Sequence, residues 1–262
     1  MSLRRRTLEI PGNLLLAGEY AITIEGYSGI TFAAGPPVRV HLDPAPQFRL
    51  RGRFGRQGSP ADRIDSIHTD YTVASSPVFK AALALLGDRE RVEGIASRAG
   101  SRRAHGATAP RTAFEPDARR AAFETAGRLA AFEPDGEPPP VAITVDSSEL
   151  FTPEGRKLGF GSSAAATVAT VAALLASVDI DPVAERTLTA GLATVAHRDS
   201  QGGAGSGYDV ATSCFGGVGL FTGGARPTYE RIDPDWLPPL GVTSGAFAES
   251  SSGAIARFQA AM

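Results

Sequence analysis

The spacing of apolar residues changes period along the chain. Thr7 to Ile10 and Leu14 to Ala17 read as strands broken by Pro11-Gly12, and Ile30 to Ala34 and Val38 to Leu42 as further strands around Gly35-Pro36-Pro37. The first third is therefore expected to be β-rich. Pro77 opens a helical pattern that runs through Val78 to Leu86 and stops at Gly87. Val141 to Val145 is a β-branched strand, followed by a loop through Asp146 to Arg156. Ala164 to Ala176 contains no Gly or Pro and predicts a buried helix. Asp181-Pro182 starts another helix, ending near His197. After a loop from Asp199 to Gly207 come a buried segment at Asp209 to Phe215 and a strand at Gly217 to Phe221. Strand-rich and helix-rich stretches are segregated, which indicates an α+β class and not a doubly wound sheet.

Between residues 96 and 140 the composition shifts to Arg, Ala, Pro and Gly, and AFEPD occurs at both 113–117 and 131–135. Two copies do not make a stacked repeat array, which needs at least ~3 units. Two readings are open for this irregular or inserted block. Either Asp117 to Ala131 is a helix with Phe123 and Leu129 facing inward, or the whole block lacks order.

Charge and cysteine usage narrow the partners. With 26 basic and 28 acidic residues among 262, the net charge is −2, so no overall field favours nucleic acid or an anionic membrane. An anionic ligand would need a local basic or amide-lined site. No run approaches the ~20 apolar residues of a membrane span. Leu14 to Ala17, behind Arg4 to Arg6, is too short for a signal-peptide core. The lone Cys214 cannot form an internal disulfide, which suits the cytoplasm, and its apolar neighbours favour packing over reactivity. Nothing in the pattern fixes an oligomeric state.

The segment KLGFGSSAAATVA at 157–169 carries the strongest chemical signal. Gly159 and Gly161 allow backbone to approach a ligand, Ser162 and Ser163 are placed to cap a helix, and the amides of its first turn, through Ala164, face outward. Such an arrangement is a phosphate cradle. It is expected to open into the principal cleft, with a β-carbon at position 161 crowding the phosphates. The segment is not a Walker A loop, since no Gly-Lys-Ser/Thr closes it, and it is not a dinucleotide GxGxxG site.

This segment resembles the second motif of the GHMP kinases (galactokinase, homoserine, mevalonate and phosphomevalonate kinases). PGNLLLAGEYAI at 11–22 resembles the first motif of that superfamily, and QGGAGSGYDV at 201–210 resembles the substrate-side loop of its phosphomevalonate kinase members. The resemblance implies a two-lobed GHMP-kinase-like fold. Residues 1–200 would form a nucleotide-binding lobe and residues 201–262 the start of an incomplete C-terminal substrate lobe, because no third Gly-rich motif follows. It further implies transfer of the ATP γ-phosphate, with Mg²⁺, to a small phosphorylated acceptor, foremost 5-phosphomevalonate. The alternatives are mevalonate or another small alcohol as acceptor, or a catalytically impaired homologue that binds nucleotide or metabolite only.

By the same resemblance, Asp209 would orient the attacking oxygen. Lys157, Gly159, Gly161, Ser162, Ser163 and Ala164 would bind ATP phosphates, and Glu19, Tyr20, Gln201, Gly205, Ser206 and Gly207 would face the acceptor. Ser163, and secondarily His197, would contact the metal. Blander readings of the same residues stay open: Asp209 as a helix cap, His197 as a charge partner of a helix end, Glu19 as a buried partner of an arginine, and Lys157 as a solvated loop residue. Two departures stand out. The first motif usually reads Pro-Gly-Lys, but here Asn13 follows Pro11-Gly12, and the acceptor loop usually reads Gln-Gly-Lys, but here Gly203 follows Gln201-Gly202. Lys157, Arg156 and Arg198 are the cations placed to compensate.

Overall fold

The structure, a computed structural model, describes residues 5–53, 65–68, 77–103, 124–133, 135–203, 205–224 and 227–243. Two sheets and six helices make up these residues. The five-stranded sheet contains β1 (Arg6–Ile10), β4 (Val38–Pro44), β7 (Val141–Asp146), β5 (Arg49–Arg53) and β6 (Asp65–His68), in the order β1-β4-β7-β5-β6. The four-stranded sheet contains β2 (Asn13–Ala17), β3 (Ser28–Ala33), β8 (Val218–Thr222) and β9 (Thr228–Ile232), in the order β2-β3-β8-β9. Its pairs are all antiparallel, whereas in the other sheet β5 runs parallel to β7.

The helices are α1 (Pro77–Leu86), α2 (Arg89–Arg103), α3 (residues 124–129), α4 (Ser162–Ser177), α5 (Arg186–Ser200) and α6 (Tyr208–Phe215). The α+β class is as expected. Helix α4 forms the spine of the core: every residue from Ala164 to Ser177 is buried, among them Val168, Val171, Leu174 and Leu175, against the inward residues Val40, Ile143 and Val145 of the larger sheet. Its alanines let α5 and α6 approach closely, and removal of this apolar surface from water stabilises the assembly at roughly 25 cal/mol per Å². Because α4 is so deeply fixed, its N-terminus is held in place.

Several expected boundaries move. Asp181 does not begin α5; its carboxylate accepts from the amides of Val183 and Ala184 in a preceding turn, and the helix starts at Arg186 and runs on to Ser200. Helix α2 extends through Arg103, into the stretch expected to be irregular. Of the expected helix at 117–131, residues 124–129 are helical and Leu129 is buried, while Phe123 lies outside the described residues. The strands β5, β6 and β9 had no expectation attached. Residues 244–262 of the expected second lobe also lie outside the described residues.

Candidate functional site

Gly161 is the N-cap of α4, with φ 60 in the left-handed region and no side-chain cap. The two serines therefore do not cap the helix, contrary to expectation; they occupy its first two positions. The first intrahelical bond runs from the Ala165 amide to the Gly161 carbonyl (3.1 Å), which leaves the amides of Ser162, Ser163 and Ala164 pointing out of the helix without an intrahelical acceptor. Phe160 anchors the loop. Its ring fills the space where a β-carbon on Gly35 would sit, and its carbonyl accepts from the Asn13 amide at 3.0 Å.

The two loop glycines differ. Around Gly159 (φ 89) a β-carbon would meet open space, whereas at Gly161 it would overlap the Asn13 carboxamide. The crowding expected between position 161 and phosphates is thus crowding by a protein side chain. The Ser162 hydroxyl has no hydrogen bond among the described residues, and Lys157 is exposed on the approach to the loop. The donor set fits phosphate oxygens: three helix-terminal amides, a free hydroxyl and an uncrowded glycine.

The acceptor-side loop is held from α5. Arg198 donates from Nε to the Gly205 carbonyl and from Nη2 to the Ser206 carbonyl, both at 2.9 Å, so its guanidinium braces the loop and does not stand in for a missing lysine. Gly207 (φ 87) is the N-cap of α6, with a β-carbon there blocked by Thr194 at 2.9 Å. Asp209 is the second residue of α6 and not its cap; one carboxylate oxygen accepts from the Val210 amide (2.9 Å), and the helix terminus favours its negative charge.

The two sides meet at His197, which is 4% exposed. Its Nε2 lies 3.1 Å from Gln201 Nε2 and 3.4 Å from Ser163 Oγ, and its Nδ1 lies 3.9 Å from Asp209 Oδ2. Since the Gln201 amide nitrogen can only donate, Nε2 accepts; the ring proton assigned by this network sits on Nδ1, facing Asp209. His197 sits in the last turn of α5, as the helix-end reading has it, and is buried between Ser163 of α4 and Asp209 of α6.

Glu19 is exposed with no ion pair among the described residues, which sets aside its pairing with an arginine. It lies near enough to α6 to act on Tyr208, whose hydroxyl is pushed well above its ordinary pKa, by burial first and then by Asp209 and Glu19. Tyr20, in the turn before Ala21–Thr23, has φ 60, a strained backbone for a non-glycine residue. A cleft lined by none of these site residues also lies among the described residues. It measures about 310 Å³ and lies between β1, the middle of α4, and the ends of α5 and α6, lined by Ile10, Val168, Arg186 and Phe215. No group of three or more His, Cys, Asp and Glu among the described residues is arranged to hold a metal.

A glycine-bounded helix start and an acidic helix start thus lie on either side of a buried histidine on one α+β frame. Residues 120–217 match the family model described as GHMP kinases N terminal domain, a span that holds both helix starts and supports the GHMP kinase superfamily. Among solved structures, Streptococcus pneumoniae phosphomevalonate kinase in complex with phosphomevalonate and AMPPNP is similar at TM-score 0.50 and 20% identity, over 83% of this chain and 50% of that one. Methanococcus jannaschii mevalonate kinase gives 0.49 at 16% identity, over 88% and 56%. The D-glycero-D-manno-heptose 1-phosphate kinase from Bacteriodes thetaiotaomicron gives 0.49 at 15%, over 88% and 60%. The chain thus spans between half and three fifths of the length of these structures. No curated protein matches it.

Asn13 is the residue that motif reading missed. It appears in the sequence only as a departure from lysine, yet it is 2% exposed and bonded to the start of α4 at the Gly161 carbonyl and to Ser213 near the C-terminal end of α6. The signal was the polar residue itself, at the first position of a strand between apolar neighbours.

Proposed function

We propose that the chain is the nucleotide-binding part of a small-molecule kinase that transfers the ATP γ-phosphoryl group to a phosphorylated acceptor, foremost 5-phosphomevalonate. The observation that supports this reading is the position of buried His197, with Ser163 at the start of α4 3.4 Å from its Nε2 and the Asp209 carboxylate of α6 3.9 Å from its Nδ1. The outward amides of Ser162, Ser163 and Ala164, with Gly159 and Lys157, would hold the ATP phosphates. Gln201, Gly205, Ser206, Gly207, Glu19 and Tyr20 would face the acceptor.

An acceptor phosphate oxygen attacks the γ-phosphorus, the bond to the β-γ bridging oxygen breaks, and ADP leaves with that electron pair. No proton need be abstracted near neutral pH, because the second pKa of a phosphomonoester is ~6. Asp209 then acts by orienting the acceptor, and catalysis is mostly positioning and charge stabilisation. Mg²⁺, when bound with ATP, would neutralise phosphate charge. It needs few protein oxygens, so the Ser163 hydroxyl suits it better than the His197 nitrogen, whose partners are already Ser163 and Gln201.

A second reading, a homologue that binds nucleotide without turnover, is favoured by positions 13 and 203, where a buried amide and a glycine at φ 90 replace lysines. Isothermal titration with ATP·Mg²⁺, followed by ADP release with 5-phosphomevalonate or mevalonate, separates the two. Binding with acceptor-dependent release supports the kinase. Binding without release on either acceptor selects the non-catalytic homologue.

A further inference from the structure

We propose that Asn13 is a positioning residue that locks the phosphate cradle onto the acceptor-side helix, and not merely a lost lysine. The inference rests on the kinase reading above. Asn13 opens β2, where its own amide is fixed to the Phe160 carbonyl at 3.0 Å and Ala33 is its partner in β3. Its carboxamide nitrogen donates to Ser213 Oγ on α6 at 2.9 Å and, over a longer 3.4 Å, to the Gly161 carbonyl at the start of α4. Asn13 and Ser213 are both buried, 2% and 1% exposed. One side chain therefore touches the first motif, the glycine loop and the helix that carries Asp209.

The geometry leaves little alternative packing. The carboxamide occupies the volume that a β-carbon on Gly161 would take, so Asn13 and the left-handed Gly161 fit only as a pair. The Gly161 carbonyl also accepts the first hydrogen bond of α4, from Ala165. A shift of Asn13 is thereby passed to the amides that would meet phosphate. Asn13 thus links the start of α4 to the C-terminal half of α6, while His197 lies between Ser163 and Asp209 at 3.4 and 3.9 Å.

A lysine at position 13 would bring an ammonium into this closed space, where desolvation disfavours charge, and would leave Ser213 without its donor. Asn13→Lys is therefore expected to weaken ATP binding, the opposite of the outcome if position 13 simply lacked a cation.

The test is a double-mutant cycle of Asn13→Ala and Ser213→Ala, read as the dissociation constant for ATP·Mg²⁺, with Val92→Ala in the distant core as a control for general destabilisation. Each single change is expected to weaken ATP binding about tenfold, and the double change no more than Asn13→Ala alone, because both cut one link. Val92→Ala should lower the melting temperature without moving the dissociation constant. If wild type binds ATP and both singles bind it equally well, or if the two effects add, or if Asn13→Lys binds more tightly, the positioning role is overturned and the kinase reading stands. If wild type itself does not bind ATP, the kinase reading falls and the role assigned to Asn13 falls with it.

Discussion

The two glycine-bounded helix starts share a capping geometry, with a side chain filling the space at each, Asn13 at Gly161 and Thr194 at Gly207, but differ in how the segments around them are held. Gly161 before α4 and Gly207 before α6 both adopt left-handed φ values, 60 and 87, and neither helix has a side-chain cap. Around Gly161 the space is filled by Asn13, and the helix behind it is buried for its whole length after Ser163. On the acceptor side, Gly202 and Gly203 have open space around them, and the loop depends on the Arg198 brace. The start of α4 is thus fixed by packing, while the loop from Gln201 to Gly207 is held by a few polar contacts.

The sharpest way to break this comparison is to put side chains on the two cradle glycines. Gly161→Val should destabilise the protein by ~3 kcal/mol or more, from strain at φ 60 and overlap with Asn13, and should cost ATP binding as a consequence. Gly159→Ala, with open space but φ 89, should cost only about 1–2 kcal/mol of backbone strain. Thermal denaturation of both variants checks the contrast, and equal losses would contradict it.

On the acceptor side, Gly203→Lys sharpens the account. A charge-assisted contact to an incoming phosphate would contribute ~1.5–3 kcal/mol, but φ 90 at Gly203 imposes strain of about 1–3 kcal/mol on a lysine. The two offset, so acceptor affinity should show no net gain. A tenfold gain would show that the loop relaxes at no cost.

The smallest expected effect concerns Cys214. Burial pushes its thiol up to about 12, only partly opposed by Arg186. A raised folded-state pKa means that this group's contribution to stability is complete below the unfolded value and fades as pH rises through the folded one. Stability from Cys214 should therefore be flat to about pH 9 and decline between there and about 12. Alkylation at pH 8 should be slow in the folded protein and fast once it is unfolded.

Much of the frame was legible because it follows local rules. Pro77 and Gly87 bracket α1, and the Gly- and Pro-free run at 164–176 is the body of α4. The strands β5 and β9 were not, since RLRGR and TYERI carry charges on an edge or outer face and give no clean alternation. Motif reading singled out the candidate residues but not their relations. That Arg198 braces the loop, that His197 joins Ser163 to Asp209, and that Asn13 fills the space over Gly161 all depend on contacts between segments distant in sequence. Gly203 illustrates the same limit: its identity was visible, but only its φ shows that a lysine would be strained there.

The central claim is that Asp209 acts on the acceptor while the α4 cradle holds the nucleotide. Its most direct test is acceptor-dependent ADP release at saturating ATP·Mg²⁺ and 5-phosphomevalonate, compared between wild type and Asp209→Asn, with ATP affinity measured on both proteins. The account predicts release by wild type, a fall of about 10²-fold in the variant because the acceptor loses its orienting group, and ATP affinity unchanged within about twofold. Equal release from the two proteins, or a loss of ATP affinity that matches the loss of turnover, would contradict it.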